Sequence, residues 1–414
     1  MKTCELSKKL SRFGSRPGLE RIAKIMERLG HPEKEMKVIL VTGTNGKGSV
    51  TNYLSSILKE AGYRTGSYFS PHLVEWNERI CIDGKQIADA TFKKYERILL
   101  DLLDDGFEMT EFEALTAMAY KYFADEKCDF AVMEIGMGGK LDATNIAEEA
   151  VSVITNVDLE HTEYLGSTAS EIAEEKAGVM KKGVCITGAD GIALEIIKQI
   201  SNRRGIELRV LNENIFAKPV EINIKHGTFN YVGHEYINGL EVMLLGRHQI
   251  DNAALAVAVA EELGIDQETI KKGLKKATND GRLQMLKNEP KVIIDGAHNV
   301  HGIKELVANL NLFDYERIVL VFGVMKDKNW KEMLKLLGPH CDLIVASEVT
   351  NERSKKSKDV AKEAEKYAKT IDGGKIGDAY AVAKQNAGKK DLILVCGSLY
   401  LLGEFFEVIK RKSK

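Results

Sequence analysis

Residues 38–51 read VILVTGTNGKGSVT, an apolar run that breaks into a glycine-rich turn before a helical pattern begins. Val38, Ile39, Leu40 and Val41 suit a buried strand, and Val50, Tyr53, Leu54, Ile57, Leu58 and Ala61 recur at helical spacing until Gly62 closes the pattern. Strand, loop and helix in that order read as a phosphate cradle. The N–H groups of Gly43, Gly46 and Gly48 would converge on phosphate oxygens, Lys47 would add a point charge, and the helix N-terminus a favourable dipole. Ser49 is then placed to hold magnesium. The general phosphate-loop pattern is met imperfectly, because Val41 stands where its first glycine belongs and Gly48 where its hydroxyl belongs. The bland alternative is an ordinary glycine-rich turn, and the presence of both the lysine and the serine weighs against it.

At 414 residues the chain exceeds the usual size of one hydrophobic core, so two or more domains are expected. A hydrophobic fraction of 44% and a charged fraction of 29% are ordinary for a globular protein. With a net charge of −2 and no long basic run, nothing points to nucleic acid or to an anionic membrane as partner. The six cysteines are scattered without a C-x-x-C pair, as reduced core cysteines are. The first residues, MKTCELSKKLSRFG, lack the apolar core of a signal peptide, and no stretch has the length to cross a bilayer. A cytoplasmic, monomeric enzyme is expected.

Working outward from the cradle, residues 1–36 read as helical lead-in and 63–69 as a second strand. The segment SPHLVEWNERICIDGK suggests an active-site loop and a small hairpin, and residues 89–126 read as two helices. DFAVMEI (129–135) and VSVITNV (151–157) are further buried strands, each ending in polar or glycine-rich residues where a parallel sheet presents its functional edge. Thr168 and Glu171 form a candidate capping box. Residues 206–245 suggest a β excursion, and a helix is expected from Asp251 to Leu263. A boundary near 279–283 separates a second alternating set, with strands at 292–295, 318–323, 342–347 and 392–397. The expected fold is α/β: a phosphate-loop ATPase domain with a mostly parallel sheet over 1–280, and a smaller Rossmann-like α/β domain over 281–414.

Several side chains admit a functional and a plain reading. Glu134 ends the strand DFAVMEI; it is either a surface carboxylate or, beside the cradle, a magnesium ligand. The glycines 136, 138 and 139 do not complete a G-x-G-x-x-G fingerprint, so a nicotinamide enzyme is poorly supported. His161 follows the strand VSVITNV, yet magnesium prefers oxygen and a loop histidine is more often structural. Lys176 reads by default as a solvated helix lysine. His248 and Asn252 share one helical face if the helix begins early enough, Arg282 sits in the linker, and Asp295 either caps the next helix or, with His298, closes a nucleotide site across two domains. A guanine-reading N-K-x-D motif is absent, which disfavours a nucleotide-dependent switch.

The ordered series GLERIAKIMERLG, GTNGKGS, SPHL, EIGMGGKLDATN, EKAG, DGRLQ, DGAHN and CGSLYL resembles the Mur ligase superfamily, and within it the folylpolyglutamate and dihydrofolate synthases. That resemblance implies ATP-dependent amide formation between L-glutamate and a folate or dihydropteroate through an acyl phosphate, with dihydrofolate synthesis alone as the alternative. It assigns Gly43, Thr44, Asn45, Gly46, Lys47, Gly48 and Ser49 to ATP, together with Asn252, Arg282, Asp295 and His298. It further implies Ser49, Glu134 and His161 as magnesium ligands, Asp142 as a pterin contact, room for a monovalent cation, and a carbamylated Lys176 serving catalysis beside Lys47 and His161. Lys326, Asp327 and the CGSLYLLG segment resemble family positions in glutamate or nucleotide contact. Two departures stand out: Glu160 replaces the aspartate that usually precedes His161, and Glu-Arg-Ser replaces Pro-Arg-Ala at 352–354.

Overall fold

A computed structural model describes residues 4–10 and 16–412. Two sheets organise the chain. The larger has eight strands in the order 85–86, 80–82, 65–68, 130–134, 37–42, 149–154, 184–187, 207–210, parallel except for the hairpin at one edge. Lys37–Thr42 lies at its centre and is buried from Val38 onward. Its side chains still alternate by face. Val38 and Leu40 enter one hydrophobic cluster and Ile39 and Val41 the other, so a strand covered on both sides reads as a continuous apolar run.

The helix Lys47–Glu60 follows the cradle and packs on Arg247–Glu262 and Gln267–Lys276. Ser56 Oγ donates to Gly273 O at 2.6 Å, and a Cβ added at Gly273 would stand 2.5 Å from Ile57 Cα, so the glycine permits the close crossing. The expected β excursion is a separate three-stranded antiparallel sheet, Phe216–Ile222, Gly227–Val232 and Tyr236–Val242, lying on the same helices. Glu207–Val210, by contrast, joins the large sheet.

The second sheet has six strands in the order 284–288, 291–295, 392–396, 318–322, 343–348, 369–375, antiparallel only where 284–288 meets 291–295. Helices cover both faces, as in a doubly wound domain. Strands 184–187, 284–288 and 369–375 escaped the sequence reading, and the helix placed from Asp251 begins at Arg247. Among the described residues no helix is long and apolar enough to cross a membrane. All six cysteines are buried and free.

Candidate active site

Strand register assembles the cradle. Val41 pairs with Glu134 and Thr42 with Ile154, which brings the strand ends at Glu134 and Thr155 to either side of Gly43. Gly43 has φ 149° and an added Cβ would stand 1.8 Å from Thr155 Oγ1; at Gly46, φ is 84° and the Cβ would meet Asn252 Oδ1 at 2.4 Å. Only glycine fits either place. The loop is held by its neighbours: Asn156 Oδ1 accepts the N–H groups of Thr44 (3.1 Å) and Asn45 (2.9 Å), and Thr155 Oγ1 donates to Asn45 O at 2.5 Å. Lys47 Nζ donates to Gly43 O and Thr44 O at 2.9 and 3.2 Å, which keeps the ammonium over the loop.

Glu134 is 5% exposed and its Oε2 accepts the N–H of Ser70 at 3.2 Å. Burial raises its pKa, against the opposing pull of Lys47, the Ser70 N–H, Arg282 and Arg79. It lies against the first turn of the helix: a Cβ at Gly48 would stand 3.5 Å from its Oε2. Ser49 in the same turn is buried and accepts from Asn279 Nδ2 at 3.3 Å. A buried carboxylate and hydroxyl beside a phosphate cradle are the oxygen donors a hard divalent cation takes.

His161 adopts φ 51° at the start of the short helix Thr162–Leu165. Its side chain is 36% exposed, yet desolvation of the remainder, then the charge of Lys328, lowers its pKa to about 4, which favours a neutral imidazole with a lone pair for a ligand. The preceding Glu160 faces the second domain, with Lys328 Nζ at 2.9 Å and His298 Nε2 at 3.4 Å. Burial alone would raise the Glu160 pKa, but His298 and Lys328 reverse this and hold it well below the usual carboxylate range. Lys176 ends the helix Ala169–Lys176, whose Thr168–Glu171 capping box is formed. It is 3% exposed, and burial followed by repulsion from Lys47 lowers its pKa to about 7. The solvated-lysine reading is therefore corrected.

The remaining nucleotide candidates converge on a crevice of about 80 Å³ lined by Gly46, Ser49, Asn252, Arg282, Asp295 and His298. Asp295 holds the linker and its own loop together, accepting the N–H of Leu283 at 2.8 Å and of Ala297 at 2.7 Å. His248 and Asn252 do share the helix Arg247–Glu262, and His248 lies 3.4 Å from Glu305 of the second domain. A larger cavity, about 660 Å³, opens between the domains and is lined by Ser70, Asp142, His161, His298, Lys328 and Arg353 among others. Asp142 reaches its wall as the cap of residues 143–146: its oxygens accept from Met137 N, Thr144 N and Thr144 Oγ1 at 3.0, 3.0 and 2.6 Å.

Sequence reasoning singled out Lys326 and Asp327, yet Lys326 Nζ is spent on Glu352 O and Asp327 pairs with Arg353 at 3.1 Å. The neighbouring Lys328 is the one that reaches the site. Sequence reasoning gave Ser70, Asn156 and Asn299 no role of their own, although Ser70 opens SPHL and Asn299 ends DGAHN. The SPHL string marked the first as an active-site loop, but nothing local signals that Asn156 reads two loop amides.

Two family models match the chain: the Mur ligase middle domain over residues 41–260 and the Mur ligase glutamate ligase domain over 281–399. A Bacillus subtilis protein named dihydrofolate synthase/folylpolyglutamate synthase is 34% identical, covering 96% of this chain and 96% of its own. Among solved structures, the Mycobacterium tuberculosis folylpolyglutamate synthase complexed with ADP and AMPPCP is 30% identical, with a TM-score of 0.90 over 98% of this chain and 97% of its own. Escherichia coli FolC in complex with DHPP and ADP is 28% identical, with a TM-score of 0.90 over 99% and 98%.

Proposed function

The chain belongs to the Mur ligase family, in the branch of the folylpolyglutamate and dihydrofolate synthases, and from that premise we propose the site at which it joins L-glutamate to a folate. The enzyme is an ATP-dependent, amide-bond-forming ligase. The observation that carries the assignment of the site is the position of His298, which lines both the nucleotide crevice and the larger cavity. A terminal phosphate held in the cradle would there face a substrate carboxylate held in the cavity.

The folate carboxylate attacks the γ-phosphorus of ATP, the bond from that phosphorus to the β–γ bridging oxygen breaks, and ADP departs. The amine of L-glutamate then attacks the acyl carbon; the carbon–oxygen bond to phosphate breaks, phosphate leaves, and the nitrogen releases a proton. Such phosphoryl transfer is catalysed by positioning and by charges aimed at the phosphate oxygens. The N–H groups of residues 43–49, the Lys47 ammonium and Arg282 supply them here, while Asn45, Asn252 and Asp295 fix the nucleotide. Ser49, Glu134 and His161 would hold magnesium, which when bound neutralises the triphosphate and polarises the transferred group. Lys176, buried and with a pKa lowered to about 7, keeps a substantial share of neutral amine near neutrality, which suits addition of carbon dioxide. The second domain closes the cavity against water that would hydrolyse the acyl phosphate. We take residues 1–280 and 281–414 as the two lobes, Asp142 as part of the pterin wall, and the reducing cytoplasm as the compartment of these free thiols.

Release of ADP by the purified protein with tetrahydrofolate or dihydropteroate, each with L-glutamate, tests this reading and separates the two acceptors. ADP release that needs neither acceptor nor glutamate would overturn it.

A further inference from the structure

We propose that Gly403 is a positioning residue, coupling the seating of the C-terminal lobe to the carboxylate of Glu134 through the loop 70–79. This rests on Glu134 serving the metal-phosphate centre, as read above.

Gly403 lies in the helix Leu399–Lys412, where glycine is a poor helix former and needs a reason. Its φ is not in the left-handed region, so the backbone does not demand it; the close approach of another chain segment does. A Cβ at Gly403 would stand 1.9 Å from Leu73 O and 3.0 Å from Leu73 C, backbone atoms of the other lobe. The Leu73 side chain packs against the apolar cluster that contains Leu402 and Phe405, so the first lobe seats one residue in the core of the second.

Loop 70–79 is stiff enough to transmit a displacement. The Glu78 carboxylate accepts three successive N–H groups, from Leu73, Val74 and Glu75, at 2.7, 3.0 and 2.8 Å. Arg79 Nε donates to His72 Nδ1 at 2.9 Å, and the His72 ring lies 4.5 Å from that of Trp76. Ser70, three residues before Leu73, donates its N–H to Glu134 Oε2. Close-packed interiors pass on strain rather than absorb it, so a shift of Leu73 is felt at Ser70 and at Glu134.

The test is Gly403→Ala, with Gly377→Ala as its matched control in the same lobe, where an added Cβ meets only Val408 at 3.6 Å. Both are made in a Trp330→Phe background, which leaves Trp76 as the single reporter of the 2 tryptophans. Gly403→Ala should lower kcat for glutamate-dependent ADP release by about 10–100-fold, the scale of a misplacement near 1 Å. It should leave the KM for ATP within about threefold, because the cradle is untouched, and should shift Trp76 emission. Gly377→Ala should change none of these. Gly403→Ala behaving like Gly377→Ala overturns the proposal. If Gly403→Ala fails to fold, Leu73→Ala decides: it removes the anchoring side chain, and kcat and emission equal to the parent's would be equally fatal. Should the parent form no ADP with any folate, the functional reading falls, while the emission of the Gly403→Ala protein still reports on the contact.

Discussion

Asn45 and Asn299 face each other amide to amide across the two lobes, Asn299 Nδ2 donating to Asn45 Oδ1 at 2.9 Å and Asn45 Nδ2 to Asn299 Oδ1 at 3.4 Å. One partner belongs to the phosphate cradle and the other caps the helix Val300–Asn309 through Gly302 N at 2.7 Å. The cradle is thus completed only when the lobes meet. Asn299→Asp keeps the cap, loses the donor to Asn45 and adds a negative charge beside the phosphates. The KM for ATP should rise about 3–10-fold, the worth of one net hydrogen bond, with the melting temperature nearly unchanged. Asn299→Ala should lose about 1 kcal/mol of stability in addition, because the cap goes too. An unaltered KM for ATP in the aspartate variant would show that the bridge does not shape the nucleotide site.

Glu134→Gln preserves an acceptor for the Ser70 N–H and removes only the charge, whereas Lys47→Ala removes the ammonium held over Gly43 and Thr44. Each should cost about 10²–10³-fold in kcat, the usual loss when one group stabilising transition-state charge is deleted. Steady-state ADP release measures both, and normal turnover in either would remove the metal-phosphate centre.

Much of this site was legible in the sequence because its parts sit at strand ends, where apolar runs stop abruptly. VILVTGTNGKGS and DFAVMEI announced the cradle and Glu134 in that way, and VIIDGAHN announced Asp295 and His298. Other features depend on contacts between distant segments. Nothing in EEKAG shows that Lys176 is buried near Lys47, since local composition suits a solvated helix face and burial is a tertiary fact. Strand 369–375 reads KTIDGGK, too polar for periodicity to reveal, because an edge strand buries little. The choice among Lys326, Asp327 and Lys328 was equally closed, since which side chain of a loop points inward depends on backbone geometry.

Glu160 is an interlobe anchor, paired with Lys328 and His298. Breaking a pair this buried costs about 3–5 kcal/mol at most, because the remaining charge is left without a partner, so Glu160→Gln should be clearly less stable than the parent in urea melts. The sign of the pH dependence follows from a folded pKa held below the ordinary 4.5. Below 4.5 the unfolded chain binds the proton more readily than the folded one, so the stabilisation by Glu160 is complete above that pH and drains away as the solution is acidified. The gap between parent and Glu160→Gln should therefore be flat near neutrality and narrow below pH 4.5. A gap that widens on acidification would contradict the pairing.

Lys176 shifts stability with the same sign as Glu160, rising with pH, but in a higher window and as a penalty relieved rather than a gain completed. Its pKa falls from 10.5 unfolded to about 7 folded, so between those values the unfolded chain carries the extra proton. The penalty for burying the ammonium is then full below pH 7 and shrinks as pH rises to 10.5. In buffers freed of carbon dioxide, Lys176→Met should be more stable than the parent below pH 7, and its advantage should vanish toward alkaline pH. The same titration controls modification, since only the neutral amine adds carbon dioxide. Turnover of the parent should climb with dissolved bicarbonate more strongly above pH 7 than below it, and that of Lys176→Met should not respond. Intact mass recorded under gentle conditions should show one carbon dioxide adduct on the parent alone. An unmodified parent whose activity ignores bicarbonate would leave Lys176 as a neutral buried amine and end the case for a carbamate.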